Sequence, residues 1–180
     1  LYLDARRKLL AKEDRDTSEF YAQELVSHVT GKKKDQLLYQ PEMYVGDDIC
    51  QRVEAGVARL LNDEPLAYVL GEWSFYGLTF HIDKNVLIPR DDTCAVTQLA
   101  IKRGLYLEQD PRILDLCTGS GCIGIAVANR VKDARVTLAD ISEAALSVAK
   151  KNVDRHQLSG RVSCVRVDAL AAPPEFLGKY

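Results

Sequence analysis

The sequence predicts an α/β chain: a small N-terminal helical bundle, a β-hairpin linker, and the first half of a doubly wound parallel sheet. Three observations predict it. Apolar residues recur at helical spacing through the first 61 residues. Between Leu78 and Ile82 they alternate strictly with Thr79 and His81, the period of a half-buried strand. From Asp91 onward, short apolar runs alternate with helical segments, the pattern of βαβ units.

Leu1 to Ala11 forms one amphipathic segment. Thr17 or Ser18 suits the N-cap of a second, in which Tyr21, Ala22, Leu25, Val26 and Val29 share a face and Gly31 supplies the stop. Asp47 suits the cap of another, with Ile49, Val53, Val57, Leu60 and Leu61 on one side. Such short helices gain their stability from burying shared apolar faces. Trp73, Phe75 and Tyr76 then open a hairpin that turns at Gly77, with the aromatic rings assigned to packing. Val86–Arg90 is extended, because the residue before Pro89 is pushed out of the helical region.

Asp91 or Asp92 caps a helix expected to run to about Arg103 and stop at Gly104. Strands follow at Ile113–Leu116, Arg135–Ala139 and Val162–Val167, separated by helices at Gly121–Val131 and, capped by Ser142, through Val153. The expected domains are residues 1–64, a linker at 65–90, and 91–180. The first strand, Ile-Leu-x-Leu, suits burial on both faces of a sheet centre. That position leaves an edge calling for further strands, so the chain reads as part of a larger domain.

The composition is ordinary for a globular protein, 47% hydrophobic and 28% charged. A net charge of −2 offers no global basic field for nucleic acid, and Lys32-Lys33-Lys34 reads as a solvated turn. Five cysteines without a C-x-x-C pair favour a reducing compartment, so a cytoplasmic protein is expected. No run approaches the roughly 20 apolar residues that span a bilayer. His28, His81 and His156 lack metal-ligand spacing. A monomer is expected.

The densest signal is Asp115-Leu116-Cys117-Thr118-Gly119-Ser120-Gly121-Cys122-Ile123-Gly124, at a strand end and a helix start. Glycines there let backbone approach a ligand closely. Gly119-x-Gly121-x-x-Gly124 satisfies the dinucleotide fingerprint. Asp115, however, precedes the first of these glycines by four residues and would repel a pyrophosphate. S-adenosyl-L-methionine carries an ammonium and a sulfonium instead, which a carboxylate attracts. Asp140, ending the next strand, suits a ribose, and Asp168, ending the third, suits an adenine amino group. Both readings stand at this point: a methyl donor or a nicotinamide dinucleotide.

On these residues the chain resembles the HemK/PrmC family, whose members methylate a glutamine side chain in peptide-chain release factors. The landmarks are His28-Val29-Thr30-Gly31, Glu64 to Gly71 (EPLAYVLG), Phe75-Tyr76-Gly77-Leu78, Val86-Leu87-Ile88-Pro89-Arg90, the glycine loop, and Ala139-Asp140-Ile141-Ser142 followed by Ala145-Leu146. The resemblance implies a Rossmann-like class I S-adenosylmethionine-dependent methyltransferase domain, with the helical bundle gripping a release factor. It implies that Cys117, Thr118, Gly119, Ser120 and Gly121 lie under the methionine part. Asp140 would bind the ribose, Asp168 with Ala169 would border the adenine, and Ile88, Pro89 and Arg90 would line the cofactor side. The family usually has glycine at the position of Cys117 and proline at that of Asp91. Its Asn-Pro-Pro-Tyr motif, which orients the reacting amide, is not in this sequence, so the chain alone is expected not to catalyse. A non-catalytic module binding release factors through Leu1–Leu61 and a nucleic-acid methyltransferase are the other readings.

Overall fold

The computed structural model describes residues 1–39, 45–106, 110–172, 174–178 and 180. They form two compact units, Leu1–Leu70 and Gly71–Tyr180.

The first unit holds helices α1 (Tyr2–Leu9), α2 (Arg15–Thr30), α3 (Lys34–Tyr39), α4 (Asp47–Leu61) and α5 (Leu66–Leu70). Its core joins Ala5 and Leu9 of α1, Ala22, Leu25 and Val26 of α2, and Val53, Val57 and Leu60 of α4. Gly56 lets α4 approach α2 closely, since a Cβ there would lie 2.6 Å from Leu25 Cδ1. The N-cap of α2 is Asp14, not Thr17 or Ser18. The Asp14 carboxylate accepts from the Thr17 amide at 2.9 Å and its hydroxyl at 2.7 Å, and Ser18 is buried within the helix. Gly31 does end α2, with φ +68°. Gly46 rather than Asp47 caps α4, and Asp47 and Asp48 occupy its first turn, where negative charge suits the helix dipole. The short α5 follows Pro65, whose fixed φ favours a helix start. Arg59 binds Glu64 at 2.6 Å and donates to the Tyr68 and Val69 carbonyls, so one guanidinium ties α4 to the end of α5.

The second unit opens with the hairpin β1 (Glu72–Phe75) and β2 (Leu78–His81). Tyr76 and Gly77 both have positive φ, +51° and +77°, the requirement of the two-residue turn that matches strand twist. Phe75 and Phe80 are buried edge to face, and His156 lies 5.2 Å from the Phe80 ring. Helix α6 spans Thr93–Tyr106, so it runs past Gly104. That glycine is buried, and a Cβ would lie 3.2 Å from Val131 Cγ2: it marks a close approach, not a stop. Next come β3 (Arg112–Leu116), α7 (Cys122–Arg130), β4 (Arg135–Asp140), α8 (Glu143–Arg155) and β5 (Val162–Arg166), ending in a 3-10 turn at Glu175–Leu177.

The three strands are parallel in the order β3-β4-β5. Val127, Val136, Leu138, Val148 and Ala149 fill the layer between β4 and helices α7 and α8. On the other face Ala139, Val167 and Leu177 cluster with Leu114 and Val165. Among the described residues β3 is an outer strand, and Leu116 is exposed, so the expected burial on both faces is not seen. No helix among the described residues is long and apolar enough to cross a membrane.

Candidate functional site

Between β3 and α7 the chain reverses within five residues, and the reversal needs left-handed backbone at Cys117 (φ +61°), Gly119 (+55°) and Gly121 (+81°). Nothing lies within 4 Å of where a Cβ of Gly119 would stand, so this stretch of backbone is open to a ligand. Gly124 has the opposite role. A Cβ there would collide with Leu138 and lie 3.0 Å from Asp115 Oδ2 and Val136, so glycine is what brings α7 down onto the sheet.

The loop is pinned by the elements around it. The Thr118 amide donates to the Ala139 carbonyl at 3.0 Å. The Gly119 amide donates to Asp140 Oδ2 at 2.9 Å, and Asp140 Oδ1 accepts from the Ser142 amide at 3.0 Å. Asp115 Oδ2 accepts from the Thr118 hydroxyl at 2.7 Å and the Gly124 amide at 2.9 Å. Thr118 and Ser120 are both buried, so the surface of the loop is backbone together with the exposed Cys117 side chain.

Asp115 and Asp140 stand close enough that their charges oppose each other. Burial of the Asp115 carboxyl raises its pKa above the ordinary range; the Thr118 and Gly124 bonds work against that rise, and the charge of Asp140 adds to it. Among the described residues neither carboxylate has an ion-pair partner. Arg166, the register partner of Asp140, sends its guanidinium to the Ile141 carbonyl and to Glu143 instead. Two carboxylates without an ion-pair partner suit a cationic ligand and oppose a pyrophosphate. Cys122 opens α7, yet burial pushes its thiol up to about 11, so it is a neutral packing residue at physiological pH.

Two family models match the chain: the PrmC N-terminal domain over residues 2–71 and the methyltransferase small domain over residues 95–176. A release factor glutamine methyltransferase of Chlorobaculum tepidum is 40% identical over 161 residues, covering 87% of this chain and 55% of that protein. One from Neisseria gonorrhoeae is 40% identical over 131 residues, 73% of this chain and 47% of that protein. Over both stretches the chain is similar to the HemK/PrmC family. It spans about half the length of these curated relatives. A ribosomal protein uL3 glutamine methyltransferase of Francisella tularensis is 43% identical over 106 residues, 58% of this chain and 34% of that protein. Among solved structures, a SAM-dependent methyltransferase from Agrobacterium tumefaciens overlays with a TM-score of 0.46 at 19% identity, over 56% of this chain and 33% of that one.

Within this chain the structure brings Asp115, Cys117 to Gly121 and Asp140 together around one turn. Asp168 and Ala169 follow β5 and are exposed, and the Asp168 carboxylate accepts from the Leu170 amide at 2.9 Å. Pro89 is half-buried and Arg90 exposed; the Arg90 side chain makes no hydrogen bond to the glycine loop or the three carboxylates. Sequence reasoning missed Asn152. Fully buried on α8, it donates to the Ser120 carbonyl at 2.9 Å and the His81 carbonyl at 3.0 Å, and accepts from the His81 amide at 2.6 Å. The available signal was a lone amide on the apolar stripe of Leu146, Ala149 and Val153.

Proposed function

We propose that the glycine loop holds S-adenosyl-L-methionine, and that the protein to which this chain belongs methylates the side-chain amide of a glutamine in a peptide-chain release factor. The observation that carries the reading is the pair Asp115 and Asp140, two carboxylates flanking an open glycine backbone with no cation beside them. When bound, S-adenosyl-L-methionine supplies a methyl group on a sulfonium.

The chain's own residues bind and orient. Gly119 and Gly121 present backbone without side chains toward the methionine part, with Thr118 and Ser120 turned inward to hold the turn. Asp115 sets a negative potential beneath the loop. Asp140 spends one lone pair of each oxygen on Gly119 and Ser142, which fixes the carboxylate and leaves the others for the ribose hydroxyls. Asp168 and Ala169 border the adenine, and Pro89 and Arg90 line the approach. Residues 1–64 grip the release factor, 65–90 link, and 91–180 begin the catalytic domain. The protein works in the cytoplasm, as a monomer and without contacting nucleic acid. The relative named release factor glutamine methyltransferase aligns over 87% of this chain and the one named for uL3 over 58%, which favours a release factor as the partner.

Co-elution on a sizing column tests the acceptor half of this reading. The chain is expected to travel with a release factor and not with uL3. Separate elution from the release factor would refute that half.

A further inference from the structure

A second concave site lies at the opposite end of the sheet, where the strands begin. It is a cleft of about 240 Å³ whose lining includes Arg112, Arg135 and Arg161 and no acidic residue. Three arginines in one cleft stand out in a chain of net charge −2. Among the described residues none of the three forms an ion pair; their hydrogen-bond partners are neutral. Arg161 donates to the carbonyls of Ala128, Val131 and Ala134 at 2.9–3.2 Å, closing the end of α7. Arg112 donates to the Leu177 carbonyl at 3.0 Å and lies 5.0 Å over the Tyr180 ring. Two guanidinium groups are thus held in place without being neutralised. Arg135 is exposed and is the direct register partner of Arg112, so two like charges face each other across the strands.

Thr137 and Ser163, register partners on β4 and β5, place hydroxyls in the same cleft. The Thr137 oxygen accepts from the Tyr180 hydroxyl at 2.9 Å. Ser159, also in the lining, donates instead to Asp154 at 2.8 Å. Guanidinium forks with hydroxyl donors match the geometry and charge of tetrahedral oxyanions, and a bound anion would relieve the repulsion between Arg112 and Arg135. We propose that this cleft is a binding site for a phosphate group, either free or carried on a small molecule. The proposal does not depend on what the glycine loop binds, since the two sites occupy opposite ends of the strands.

Thermal melting tests it with inorganic phosphate in one arm and ribose 5-phosphate in the other, each against chloride at matched ionic strength. The expected result is a rise of about 2–4 °C at saturating ligand. The rise should be absent in Arg135→Ala and reduced in Arg135→Lys, which keeps the charge but not the fork. Arg135 is exposed, so the variant is expected to fold as the parent does. Equal protection in both arms identifies free phosphate as sufficient; stronger protection by ribose 5-phosphate identifies a carried phosphate. No rise beyond chloride, or a rise that persists in Arg135→Ala, would overturn the proposal.

Discussion

Cys117 has a φ of +61°, a conformation that costs a residue with a Cβ on the order of 1–3 kcal/mol and glycine almost nothing. Its side chain is exposed, so little packing compensates. Cys117→Gly is therefore expected to stabilise the fold by about 1 kcal/mol, seen as a rise in melting temperature. Asp115 gives a second prediction at this scale. Its pKa is raised in the fold above the ordinary 3.8, chiefly by burial, so ionising it costs more in the folded than in the unfolded chain. That contribution is fully present below the unfolded value and is lost as pH rises through the folded one. The stability of the parent relative to Asp115→Asn should fall as pH climbs from about 4 toward 7, in paired denaturant titrations. A difference that stays flat with pH would show that the carboxyl does not titrate as argued.

At the scale of elements, α8 is the part that organises the site. Asn152 joins it to β2 through two part-buried hydrogen bonds and to the glycine loop through a buried one. Asn152→Ala would leave the His81 amide, its carbonyl and the Ser120 carbonyl without partners. A loss of about 2–4 kcal/mol is expected, measured by chemical unfolding. The residues that sequence reading reached and those it did not differ in kind. Strand and helix periods are local, and so were Gly31, the Tyr76-Gly77 turn, and Ser142, whose hydroxyl accepts from the Ala145 amide at 3.2 Å. Asn152 meets His81 across 71 positions, a relation no local pattern contains. Gly104 has the look of a helix stop, and only the packing of Val131 beside it shows why it stands inside one. The cap at Asp14 is hidden in the sequence because two further candidates, Thr17 and Ser18, follow it within one turn.

Across the whole molecule, the glycine loop is a surface where the backbone of one turn is held by carboxylates from two adjacent strands. On the proposed reading the same two carboxylates select the ligand, because a site with negative charge at its base favours a sulfonium over a pyrophosphate. Calorimetric titration of the chain with S-adenosyl-L-methionine and with NAD measures this directly, with Asp140→Ala as the variant and circular dichroism to verify its fold. Heat of binding is expected with S-adenosyl-L-methionine and none with NAD, and the first is expected to be lost in Asp140→Ala. Binding of NAD instead, or S-adenosyl-L-methionine binding undisturbed in that variant, would contradict it.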